Sequence, residues 1–198
     1  MADVTRRDAL RKIAVGGAAA VTAPSWVQTL LSAAEQHAAH YQASVTQAAA
    51  WAPKALTPAQ NEAVITLAEL IIPQTDTAGA TKANVNRFVD AVLADAPTAD
   101  RQTFLDGLAW LDTQSQRDAG LPFAKASPAH QTAILMALST NKAPSAAEQR
   151  GVDFFKAIKA LTITGYYTSE VGMREEMGDD GNMFFMEYKG CTHAAHKG

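Results

Sequence analysis

Cysteine is almost missing from this chain of 198 residues: Cys191 stands alone. An intramolecular disulfide is therefore excluded. So are a c-type haem, which needs Cys-x-x-Cys-His, and an iron–sulfur cluster, which needs about four thiolates. A lone cysteine leaves three fates: a bridge to another chain, a reactive free thiol, or a buried inert one. No Gly-x-Gly-x-x-Gly occurs, so the dinucleotide fingerprint is absent. No Gly-x-Ser-x-Gly marks a serine nucleophile. Positive charge is scarce too, with 17 Lys+Arg against 20 Asp+Glu. A nucleic-acid binder would need a basic face, so that class is set aside. Residues 1–50 hold four of the basic and three of the acidic residues, which leaves 13 and 17 for a mildly acidic body. Alternating β-branched runs of useful length are lacking, which points to an all-α body.

What is present begins at Thr5-Arg6-Arg7-Asp8-Ala9-Leu10-Arg11-Lys12. Two adjacent arginines precede a short stretch rich in Ala and Gly, Ile13 to Ala23. That stretch suits a signal h-region and is too short for a comfortable membrane span. The order resembles the twin-arginine export consensus, with Ala9 where a bulky aromatic is common. Arg6 and Arg7 are the expected recognition residues. Candidate cleavage sites are Val21-Thr22-Ala23, which Pro24 then obstructs, and the later Ser32-Ala33-Ala34 and Ala48-Ala49-Ala50. Val27, Leu30 and Leu31 continue the apolar character and favour retention as an anchor. Cargo of this pathway crosses already folded. Such a chain is expected to hold a cofactor or to bind a partner that does.

Residues 1–50 are assigned to the signal and a linker, and residues 51–198 to one domain of ordinary size. The linker proper is the Ala-rich stretch 43–56. Five helices are expected beyond it. Thr57-Pro58-Ala59-Gln60 is a capping box with proline at the first helical position. It opens a helix carrying Val64, Leu67, Ala68 and Ile71, ended by Pro73. Residues 73–80 form a loop of turn formers. Val85, Phe88, Val89, Val92 and Leu93 mark the second helix. Phe104, Leu105, Leu108 and Leu111 mark a third, between Pro97 and Gly120. Ser127-Pro128 starts a fourth with Ile134, Leu135 and Leu138. Ser145-Ala146-Ala147-Glu148 opens a fifth through Phe154, Phe155, Ile158 and Leu161. The fold expected is a compact bundle of about five helices. From Gly165 onward, six of the 12 glycines and no sustained period predict an irregular tail that packs on the body or on a partner.

Two clusters in that tail offer chemistry. Cys191, His193 and His196 follow four of the six methionines, Met173, Met177, Met183 and Met186. Thiolate, thioether and imidazole suit copper, and a metal-binding periplasmic module is the alternative function. The plainer account is an adaptable Met-rich interface with a solvated histidine tail. Glu170, Glu175, Glu176, Asp179, Asp180 and Glu187 could do acid–base work but read first as a solvated surface. His130, in the first turn of a helix, reads as a surface or capping residue.

Several segments in order resemble the gluconate 2-dehydrogenase subunit 3 family, the small subunit of membrane-associated flavoprotein sugar dehydrogenases. They are Leu67-Ala68-Glu69-Leu70-Ile71-Ile72-Pro73, Asp76-Thr77-Ala78-Gly79-Ala80 and Val85-Asn86-Arg87-Phe88-Val89-Asp90. In the tail they are Gly165-Tyr166-Tyr167-Thr168-Ser169-Glu170-Val171-Gly172 and Tyr188-Lys189-Gly190-Cys191. Ala78 departs from the family, where proline is common before the glycine. The resemblance implies a noncatalytic accessory subunit with no catalytic, cofactor or metal residues of its own. It implies a partner flavoprotein of the glucose–methanol–choline type, which carries FAD and oxidises a sugar, sugar acid or glycoside. A cytochrome c subunit or another acceptor takes the electrons. The small subunit brings the partner to the twin-arginine translocase, and the complex is expected in the periplasm, associated with the inner membrane. On this reading Cys191 is the candidate for a disulfide to the partner. Tyr166, Tyr167, Met183, Met186 and Tyr188 are candidates for its interface.

Overall fold

The computed structural model describes residues 23–44, 51–140, 142 and 145–178. Among them are six α-helices, one 3-10 turn, one π turn and no strand. The helices are α1 (Ser25–Ser44), α2 (Pro58–Ile71), α3 (Val85–Asp95), α4 (Thr98–Ala119), α5 (Pro128–Ser139) and α6 (Ala146–Tyr167). The 3-10 turn is Phe123–Lys125 and the π turn is Gly172–Glu176. The all-α expectation holds, and the five helices read from the sequence are α2 to α6.

Their ends follow the local chemistry. Thr57 Oγ1 accepts from Gln60 N at 3.3 Å while Gln60 Oε1 accepts from Thr57 N at 2.9 Å, closing the capping box. Ser127 and Ser145 cap α5 and α6 by accepting from the third residue on. Helix α4 stops at Gly120, whose φ of 70° suits only a residue without Cβ strain.

Two differences from the sequence reading have physical causes. First, there is a sixth helix, α1, inside the stretch read as signal and linker. Val27, Leu30 and Ala34 lie on one face of it, and all three are buried in the common core. Second, the chain stays regular beyond Gly165, where an irregular tail was expected. Helix α6 runs on to Tyr167 and the π turn follows. Gly165 is not a breaker here. A Cβ on it would stand 2.6 Å from Phe88 Cδ1, so glycine lets α6 approach α3.

Helix α6 is the central element, touching each of the other five α-helices. Its buried side chains include Phe154, Ile158, Leu161 and Tyr166. Phe154 packs edge-on against Phe104, with ring centroids 5.1 Å apart. Gly107 and Gly151 open room for the rings of Phe154 and Trp110. The non-helical residues 51–56 are fastened to α3 by Asp90. Its carboxylate accepts from the backbone N–H of Lys54, Ala55 and Leu56 at 2.8, 2.9 and 3.0 Å.

Candidate functional site: a clamped loop beside the end of helix α6

Among the described residues, the resemblance-bearing segments 67–73, 76–80 and 165–172 meet at the loop of residues 73–80. Helix α2 ends in Glu69-Leu70-Ile71, and a carboxylate there faces the negative end of the helix dipole. The side chain is put to other use. Glu69 Oε1 accepts from Gln74 N at 2.8 Å and Oε2 accepts from Thr81 N at 2.9 Å. One carboxylate thus bridges the two ends of the loop through charge-assisted bonds. Ala80 N also donates to Ile72 O at 2.9 Å. Gly79 lies against Glu69, and a Cβ on it would overlap the carboxylate oxygens. The Glu69–Gly79 spacing in the motif is thereby accounted for: the acid needs a neighbour without a side chain.

The far end of the chain grips the same loop. Tyr166 is fully buried, and its hydroxyl donates to Ala78 O at 2.7 Å. Ala78 N donates to Glu175 Oε2 at 3.1 Å, and Thr77 Oγ1 donates to Glu176 Oε2 at 2.8 Å. Both polar backbone groups of Ala78 are therefore held by residues 88 and 97 positions away. A proline at 78 would have no N–H to give Glu175.

The π turn places those two glutamates. Ser169 Oγ donates to Tyr166 O at 2.6 Å and accepts from Gly172 N at 3.0 Å. This folds the chain back directly after α6. Gly172 then sits so close to the Tyr166 carbonyl that a Cβ would overlap it. Glu170 and Arg174 form an exposed ion pair at 3.0 Å. Beside the clamp, Tyr167 is half-buried and stacks edge-on with Tyr166 at 5.1 Å. Met177 is 66% exposed, and Leu70, Ile71, Ile72 and Val171 are partly covered.

The sequence candidates distribute as follows. Tyr166 belongs to the interior, where its hydroxyl fixes the loop, and Tyr167 is the member of the pair that reaches the surface. Arg6, Arg7, Met183, Met186, Tyr188 and Cys191 lie outside the described residues, as do His193, His196, Asp179, Asp180 and Glu187. His130 accompanies the α5 cap, its backbone N donating to Ser127 Oγ at 3.3 Å. Among the described residues no three His, Cys, Asp or Glu side chains converge on one point. Nor is any described helix long and apolar enough to cross a membrane. Sequence reasoning missed the roles of Glu69, Glu175, Glu176 and Asp90. For Glu69 the available signal was an acid at a helix C-terminus followed by proline and glycine, against the dipole preference.

The family model for gluconate 2-dehydrogenase subunit 3 matches residues 58–182. The chain belongs to the gluconate 2-dehydrogenase subunit 3 family. The match runs from the start of α2 past the π turn, so both halves of the clamp lie inside it, while α1 lies before it. No curated protein and no solved structure matches the chain significantly. Membership makes this a subunit-type chain of an oxidoreductase system. In this chain every clamp carboxylate is engaged with backbone or hydroxyl donors of the loop.

Proposed function

We propose that this chain is the noncatalytic small subunit of a periplasmic FAD-dependent dehydrogenase of the glucose–methanol–choline type, acting on a sugar, sugar acid or glycoside. The observation that carries the reading is the family match over residues 58–182. The adjacent arginines Arg6 and Arg7 ahead of the short apolar stretch support the export half of it. In this account the helical body folds in the cytoplasm and docks on the flavoprotein, which carries the FAD. Arg6 and Arg7 then engage the twin-arginine translocase on behalf of both chains. Electrons leave the flavin for a cytochrome c subunit or another acceptor, without passing through this chain. The docking face is the clamped end of the body, with Tyr167 and Met177; Met183, Met186 and Tyr188, outside the described residues, are further candidate contacts. Cys191 supplies the thiol for a bridge to the partner after export.

Exchanging Arg6 and Arg7 together for lysine is the direct test of the escort role. Lysine keeps the two charges but lacks the planar guanidinium fork, so the exchange alters recognition without altering net charge. The flavoprotein's dehydrogenase activity is expected to stay in the cytoplasmic fraction. If activity still reaches the periplasm at the unaltered level, this chain does not escort it.

A further inference from the structure

The N-terminal helix α1 stands between the export signal and the family domain, and its packing bears on where a peptidase can cut. Val27, Leu30 and Ala34 are 1%, 0% and 0% exposed. They repeat at the spacing of one helical face, and Trp26, Leu31, Ala33 and Ala38 flank them, partly buried against the same core. That face lies along α6 and α3 and reaches α4, so it covers the central helix of the bundle. The opposite face, with Gln28, Ser32, Glu35 and Gln36, is exposed. Polar contacts lie at its start and midway along it. Val27 N and Gln28 N donate to Pro24 O at 3.0 and 3.2 Å, and Gln28 Nε2 donates to Ala23 O at 2.9 Å. Farther along, His37 Nε2 lies 3.0 Å from Asp95 Oδ2 at the end of α3.

We propose that α1 is a permanent core element, so that the mature protein retains Ser25–Ser44 and the small-residue bonds after Ala34 and Ala50 are not processing sites. The Ala34–Glu35 bond lies within a packed helix, and hydrolysing it would require that helix to open first. A cut after Ala50 would detach the whole of α1 from the chain and strip the apolar face of α6 that it covers. Pro24 leaves the bond after Ala23 a poor substrate as well. The leader is thus either retained or removed upstream of α1, and the signal and the fold share this helix as their junction. In its cellular consequence the proposal rests on the export reading; the core membership of α1 rests on packing alone.

The test has two parts. Intact mass of the denatured chain from the periplasmic fraction is expected to include residues 25–44. A chain that begins at Glu35 or Trp51 overturns the proposal. If the chain never leaves the cytoplasm, the export reading has failed instead, and melting of the full chain decides this one. Leu30→Asp puts a charge on the buried face and is expected to lower Tm by about 10 °C or more. Ser32→Asp, two residues away on the exposed face, is expected to shift it by no more than about 2 °C. A Leu30→Asp chain that melts with the unaltered protein overturns the proposal.

Discussion

Replacing Asp90 with alanine is expected to cost about 3 kcal/mol of folding stability, since buried donors left without partners cost roughly 1–3 kcal/mol each. The carboxylate is 2% exposed and accepts from three consecutive backbone N–H groups, those of Lys54, Ala55 and Leu56. Leu56 is itself buried, so its N–H has no route to water when the carboxylate is gone. The bonds to Lys54 and Ala55 are only part-buried, and water can replace some of what is lost there. That is why the expected total stays well below three full penalties. Asp90→Asn retains one accepting oxygen but turns an N–H₂ toward backbone donors, and should fall between the two. Urea unfolding, read as the shift of the midpoint at constant slope, gives the number. A loss below about 0.5 kcal/mol, the level of an ordinary surface substitution, would mean that residues 51–56 are not held by Asp90.

The second large effect is expected at Gly172. Alanine there places a Cβ against the Tyr166 carbonyl oxygen, which belongs to the backbone and cannot swing away. Overpacking of this kind typically costs about 1–3 kcal/mol, and relief requires the π turn to shift. The shift would carry Glu175 and Glu176 off Ala78 and Thr77, undoing one side of the clamp. Backbone exchange should therefore rise locally in residues 74–80, nearly a hundred positions away, beyond any change in global stability. Gly120→Ala is the comparison. Its φ of 70° is strained for alanine, but nothing lies within 4 Å of the added Cβ, so it should lower stability without touching the loop. If Gly172→Ala leaves exchange in 74–80 unchanged, the π turn does not hold the loop.

Local signals carried much of the fold. The boxes at Thr57–Gln60 and Ser145–Glu148, and the apolar spacing of Val85 through Leu93, specify helices from neighbours three and four residues apart. Helix α1 was obscured because its apolar residues merge with the signal stretch, and composition cannot separate a leader from a core helix that follows it. In the sequence Gly165 reads as the start of an irregular tail and Gly172 as part of it. Each is a site of close approach, to Phe88 and to the Tyr166 carbonyl, and such a contact is visible only once both partners are placed. The clamp was illegible for the same reason. Glu69 acts across a loop, and Tyr166, Glu175 and Glu176 act on residues about 90 or more positions away, so no periodicity links them. Of the segments that carry the family resemblance, 67–73, 76–80 and 165–172 meet, and nothing in their sequence says so. Glu175 and Glu176 looked like solvated acids in a glycine-containing tail, and their partners turned out to be the loop's own N–H and hydroxyl groups.

We propose that this chain serves a flavoprotein. Purification of the chain under non-denaturing conditions, from the cells that make it, tests that most directly. The account predicts one elution peak holding this chain, a larger partner chain in fixed ratio, a flavin absorption spectrum and sugar- or sugar-acid-dependent dye reduction. Elution of the chain alone, with flavin and dehydrogenase activity in other fractions, would contradict it.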